Sequence, residues 1–299
     1  MTLPADAADP VFVGGTGRSG THAMARLLGR HSRYLYVSRE IRFHTEKGGL
    51  PDLLAGRVSM RRFLRNMRGH WWDRPGPEGV RRGLHGKVEK EAFEAALLEF
   101  EGSFDADPTV ASRTLMRALL DPLADAKGRA TWVEQTPSNV FVAPTLLQIF
   151  PQMKMIHMVR DGRDVACSLA ARSWGPNSVA RGVRWWAKRM RRADAGERGL
   201  PADRLLVVNL EDLVERDREG TYGRVLDFLR VEDEPKIRRY FDKKLTPENA
   251  NIGRWRSDLS EARQRRLTDS YARTLKRLSA AGVSSTPALE AAEGAGPPR

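Results

Sequence analysis

Cysteine is almost missing from this sequence. Cys167 is the single one in 299 residues, so no internal disulfide can form, a disulfide scaffold is excluded and a reducing compartment, with the cytoplasm expected, is open to the chain. Long apolar runs are missing too: nothing approaches the roughly 18 consecutive apolar residues of a membrane span. Met1-Thr2-Leu3-Pro4 opens an acidic, Ala-rich stub, without the charged and apolar regions of a secretion signal. The signatures of nucleic-acid binders are equally absent, whether paired Cys/His spacings, a basic region followed by heptads, or an aromatic RNA-binding strand. No internal repeat is evident. What remains is 40% hydrophobic and 30% charged, the composition of a packed, enzyme-sized domain.

The formal net charge is +13, and it is local. Residues 61–90 carry nine Lys/Arg against three Asp/Glu, and residues 160–192 carry nine against two, so these two stretches hold the whole excess. Such clustering favours a pocket for a small polyanion over a duplex-binding face, and no nucleic-acid partner is expected.

Five short runs rich in β-branched or aromatic residues, at 10–14, 34–38, 131–134, 154–159 and 205–209, fit buried parallel strands. Helical patterns lie between them, at 22–28, 92–100, 114–124, 164–171, 179–193 and 222–229. Strands alternating with helices predict an α/β fold, a parallel sheet of about five strands covered on both faces. Residues 42–130 hold no good strand, contain the turn cluster WWDRPGPEG at 71–79, and read as a largely helical insertion. From Ser279 the chain is small, Pro/Gly-rich and unpatterned, so 1–278 is expected as a single domain and 279–299 as a disordered tail.

The stretch Val11-Phe12-Val13-Gly14-Gly15-Thr16-Gly17-Arg18-Ser19-Gly20-Thr21-His22 reads strand, glycine-rich turn, helix. Backbone N–H groups and a helix N-terminus can surround a phosphate in this context. An ATPase loop needs G-x-x-x-x-G-K-[ST], but Gly20 is followed directly by Thr21, so the phosphate-holding lysine is missing. Arg18 is the one cation inside the loop, and its planar fork of donors suits a group in phosphoryl or sulfuryl transfer. A second strand-to-helix junction, Val159-Arg160-Asp161-Gly162-Arg163-Asp164-Val165-Ala166-Cys167-Ser168, brings Arg160 out of the fourth strand, with Ser168 eight residues on. Together the two junctions fit a nucleotide with anionic groups at two places.

These residues resemble the sulfotransferases that use 3′-phosphoadenosine 5′-phosphosulfate (PAPS), with some similarity to tyrosylprotein sulfotransferases. In that family GTGRSGT is similar to the 5′-phosphosulfate loop, here Gly17, Arg18, Ser19, Gly20, Thr21 and His22, and R-x7-S, here Arg160 and Ser168, to the 3′-phosphate site. Trp132-Val133-Glu134-Gln135-Thr136-Pro137-Ser138-Asn139 resembles the family's W-x-E-K-T-P-x-N, with Gln135 in place of the usual lysine. Leu210-Glu211-Asp212-Leu213 resembles its Y-E-D-L. Gly253-Arg254-Trp255-Arg256 resembles its C-terminal loop over the 3′-phosphate. The resemblance implies a P-loop-kinase-like sheet, PAPS as co-substrate, 3′,5′-bisphosphate (PAP) as product and no metal. The acceptor is expected to be a small molecule such as a natural product, carbohydrate or lipid, in a pocket shaped by the insertion 42–130.

Sulfuryl transfer to a hydroxyl also needs a group to take the acceptor's proton. Glu40, just past the second strand in Ser38-Arg39-Glu40-Ile41-Arg42, lies where parallel strands feed a ligand crevice, and this stretch resembles the E-x-R segment that carries the base in tyrosylprotein sulfotransferases. His44 is the rival base, since histidine titrates nearest neutral pH. His31, His70 and His85 lack supporting neighbours and are expected in solvent, His157 in the core. Trp185 and Trp186 are explained by the packing of an amphipathic helix, and Cys167 by helix packing as well. A P-loop kinase using ATP and magnesium is the alternative; it has no use for Arg160 with Ser168.

Overall fold

In the computed structural model, which describes residues 8–74 and 81–287, five strands form one sheet: β1 Val11–Gly15, β2 Tyr34–Tyr36, β3 Thr131–Glu134, β4 Lys154–Val159 and β5 Leu205–Asn209. Their order is β2-β3-β1-β4-β5, and every pairing is parallel, with Val11 opposite both Val133 and Lys154. β1 is buried along its whole length because both of its faces are covered. Phe12 packs edge-on against Trp132 at 5.6 Å, in the cluster on one face. Val11 and Val13 join Met24, Val133 and Ile156 on the other. Helices Thr21–Leu28 and Gly162–Ala170 leave the sheet immediately after β1 and β4, so all strand ends that carry the two motifs point the same way.

Among the described residues, 42–130 contain no strand, and helices Lys90–Ser103 and Pro108–Asp125 dominate the stretch. The second of these starts where it does because Asp107 accepts from the N–H groups of Thr109 and Val110, both at 2.9 Å, ahead of a proline in the first turn. Phe63, Phe93, Phe100 and Leu115 pack into the cluster that contains Phe12 and Trp132. Each such side chain contributes about 2–3 kcal/mol of burial. The insertion thus completes the core on that face of the sheet.

Two expectations change. Ser279 and Ala280 finish the helix Glu261–Ala280, and the chain then stays docked: Val283 is buried, the Ser284 N–H donates to Asp194 at 3.1 Å, and the Ser285 hydroxyl to Glu197 at 2.5 Å. Single apolar anchors such as Leu278 and Val283 do this inside a composition that otherwise reads as unpatterned. Residues 288–299, and 75–79 of the turn cluster, lie outside the described residues. His31 is also buried, beside Glu234 at 3.4 Å, while His157 is in the core, paired with Glu197.

Candidate active site

The loop after β1 turns tightly because two of its glycines have no room for a side chain. A Cβ on Gly15 would lie 2.7 Å from the Met158 carbonyl oxygen, and one on Gly20, at φ 93°, would lie 2.9 Å from Leu210. Arg18 sits at the loop's crest with φ 60°. Its Nε donates to Ser168 Oγ at 2.8 Å across 150 residues of sequence, so the two motifs meet. Arg160 reinforces the junction, donating to the Arg18 carbonyl at 3.2 Å and to the Asn251 carbonyl at 2.6 Å. Behind them the buried Asp164 accepts from Arg160 at 3.4 Å and from the backbone N–H groups of Gly253 at 2.8 Å and Trp255 at 3.1 Å. That carboxylate straps the C-terminal segment to the helix after β4.

A cavity of about 1010 Å³ opens over this junction. Gly17, Arg18, Gly20, Thr21, His22, Glu40, Arg160, Ser168 and Arg254 all line it. Burial first, then the charges of Arg172, Arg160 and Arg254, pulls the Arg18 guanidinium below its usual pKa. So many cations around one hollow call for an anion. Arg160 Nε is buried without a partner, which leaves a donor in reserve at the second motif. These residues fit a ligand with two anionic groups.

Other expected site residues lie elsewhere. The Ser19 side chain is fully buried behind the loop. Gly253, Trp255 and Arg256 do not line the cavity. Gly253 has φ 72°, which turns Arg254 inward and sends Trp255 into the core between the guanidinium groups of Arg163, at 4.2 Å, and Arg256, at 4.4 Å. Arg256 instead faces a separate hollow with Asp161, Glu211 and Glu215. His44 is wholly buried, so it cannot touch an acceptor. Its Nε2–H serves Glu134 Oε2 at 3.1 Å and Asn139 Oδ1 at 2.8 Å.

That pair explains the third motif. Glu134 also accepts from the Thr136 N–H at 2.9 Å and hydroxyl at 2.6 Å, and Asn139 donates to Glu134 at 2.8 Å and to the Val13 carbonyl at 3.1 Å. The knot joins β3, β1 and the segment just past Glu40. Burial alone would raise the Glu134 carboxyl, but the His44 charge and hydrogen bond, with Thr136, outweigh it and hold the carboxyl at about 2. Gln135 is buried with both amide atoms unpartnered. Glu40 itself accepts from Arg42 Nε at 2.5 Å through Oε2.

Trp186 is packing, as expected, buried 5.3 Å from Tyr271. Trp185, one position off the buried stripe of its helix, packs partly against the same cluster and also lines the cavity with Trp174. Cys167 is buried, and burial pushes its thiol up to about 12.

A parallel α/β sheet of P-loop-kinase type, with two strand-to-helix junctions converging on one cationic cavity at the strand ends, is the frame of a group-transfer enzyme. Residues 10–235 match the sulfotransferase family, and the chain belongs to it. The protein is a sulfotransferase, which sets aside the kinase alternative. The fold is shared with the sulfotransferase domain of the olefin synthase of Synechococcus PCC 7002, at 20% identity and TM-score 0.53 over 92% of this chain and 97% of that one. Sulfotransferase STF1 of Mycobacterium tuberculosis H37Rv is also similar, at 19% identity and TM-score 0.44 over 80% of this chain and 72% of that one. No curated protein matches the sequence. Among the described residues no helix is long and apolar enough to cross a membrane.

Proposed function

We propose that the donor is PAPS and that the acceptor is a small molecule presenting a hydroxyl or amine beside Glu40. The observation that carries this reading is the 2.8 Å contact between Arg18 and Ser168, which puts the phosphosulfate loop and the R-x7-S pair at one cavity. Backbone groups of Gly17 to Thr21 hold the 5′-phosphosulfate, Arg160 and Ser168 the 3′-phosphate, and Arg254 closes on the same end. PAPS supplies an activated sulfuryl group: the acceptor oxygen or nitrogen bonds to sulfur as the bond from sulfur to the 5′-phosphate oxygen breaks. Arg18 offsets the charge that develops on that leaving oxygen. Glu40 takes the acceptor's proton, and its Oε1 has no partner among the described residues, leaving one oxygen for the task while Arg42 holds the other.

Ligand-dependent unfolding tests the donor. A ligand at 100 times its Kd stabilises by about 2.7 kcal/mol, so PAP should raise the midpoint clearly, in EDTA as well as in magnesium, and AMP much less. Arg160→Ala should weaken PAP roughly 10- to 100-fold and AMP little, because the difference between the two ligands is the 3′-phosphate. Greater stabilisation by ATP with magnesium than by PAP would overturn the assignment.

A further inference from the structure

The insertion delivers to the cavity two arginines, Arg42 and Arg82, that the donor does not use. Arg82 lines the cavity next to Glu40 and Arg42. It is fixed there by a two-way backbone bridge with Arg74, at 2.7 and 2.9 Å. Gly83 follows at φ 141°, where a Cβ would strike the Trp72 carbonyl oxygen at 2.2 Å. Two further contacts clamp this segment onto the chain around Glu40: Arg39 donates to the Arg81 carbonyl at 3.3 Å and Lys87 to the Ser38 carbonyl at 3.3 Å.

The charge there does not balance. Glu40 and Glu46 are both taken by Arg42, and neither Arg74 nor Arg82 has an ion pair among the described residues. Arg74 is only 8% exposed, and burial first, then Arg42, lowers its pKa against the opposing pull of Glu46 and Glu40. A guanidinium as buried as that of Arg74, with no ion pair of its own among the described residues and beside the half-buried Arg82, is costly and favours an anion nearby. The donor's 3′-phosphate is not that anion. Glu40 and Arg42 follow β2, Arg160 and Ser168 follow β4, and in the order β2-β3-β1-β4 these strands are three spacings apart, about 14 Å.

We propose that Arg82, backed by Arg74 and Arg42, determines acceptor specificity: the acceptor carries an anionic group, a carboxylate, phosphate or sulfate, besides the hydroxyl or amine that is sulfated. This rests on the PAPS-dependent reading above. The test uses the protein saturated with PAP and two probes of one shape, 4-hydroxybenzoate and 4-hydroxybenzamide, titrated calorimetrically. The carboxylate should bind at least ~10-fold tighter than the amide. Arg82→Gln should remove that preference while PAP affinity stays unchanged, and Arg82→Lys should restore part of it. Equal affinity for the two probes, including no binding of either, overturns the proposal, as does a preference that survives Arg82→Gln. Loss of PAP affinity in Arg82→Gln also overturns it, by making Arg82 a donor ligand. Failure of the unaltered protein to bind PAP would instead bring down the donor reading, and this inference with it.

Discussion

Glu40 is flanked by two arginines in left-handed backbone conformations, Arg39 at φ 106° and Arg42 at φ 65°. For residues other than glycine such a conformation costs about 1–2 kcal/mol each, and it persists where surrounding structure over-determines it. Here the knot of Glu134, Asn139 and His44 sits just beyond the segment, and the Arg39–Arg81 contact holds its other side. The strain fixes one carboxylate at the cavity wall. Glu40→Gln keeps the shape and removes basicity, so turnover with PAPS should fall by roughly 10²–10⁴. PAP affinity should stay within about threefold, since a base acts mainly in the transition state. A variant that keeps its turnover would remove Glu40 from the chemistry. His44→Ala is no longer a test of rival bases: with His44 buried, its effect would come through the position of Glu40.

At the scale of elements, the strands were the most legible part of the sequence. The runs at 131–134, 154–159 and 205–209 are β3, β4 and β5, because a strand covered on its faces is rich in apolar and β-branched residues and bounded by polar turns; this holds even for the half-buried edge strand β5. The expected 34–38 run stops at Tyr36, after which Val37 still bonds to the Val133 carbonyl but the chain bends away. Harder to read was the role of Glu211, which sits past β5 in the family-like Leu210-Glu211-Asp212-Leu213. Its carboxylate accepts from the Asp161 N–H at 2.9 Å, and Asp161 in turn caps the helix Gly162–Ala170 through the Arg163 N–H at 2.7 Å. Only the fold brings residues fifty positions apart together, so spacing alone does not assign this work. Burial pushes the Glu211 carboxyl up to about 7 from its ordinary 4.5. A raised carboxyl contributes stability below the unfolded value that is lost as pH rises through the folded one. Glu211→Gln keeps an acceptor oxygen and removes the charge. It should therefore stabilise the protein by about 1–3 kcal/mol at pH 8 and change little at pH 4.5, measured by denaturant unfolding at the two values. A loss of stability at pH 8 would show that Asp161 needs the ionised partner.

For the whole molecule, what the sequence made legible follows from how the site is built. Strand-to-helix junctions are local devices of glycine, backbone N–H and a nearby cation, so Gly17 to Thr21 and Arg160 with Ser168, which the structure brings to one cavity, could be read from short windows. Arg82, Asp164 and Trp185 could not, since each reaches the cavity or its walls through tertiary packing. The same distinction governs the chain's response to acid. Glu134 links β3, β1 and the Glu40 segment from a fully buried position, with its carboxyl held at about 2 against an ordinary 4.5. A depressed carboxyl contributes stability that is present above the unfolded value and lost as pH falls through the folded one, here between 4.5 and 2. Over that window Glu134 should account for a loss on the order of 2–3 kcal/mol, added to whatever the other carboxylates contribute. Glu134→Gln isolates its share. The variant should be less stable than the parent at pH 7 by a similar amount, and the two unfolding free energies should converge as pH approaches 2. Because the knot contacts the Glu40 segment directly and the loop after β1 only through the Val13 carbonyl, the variant that remains folded at pH 7 should bind PAP nearly normally while turning over more slowly. A constant gap between the two proteins from pH 7 to pH 2 would mean that packing, and not the buried charge, is what Glu134 supplies.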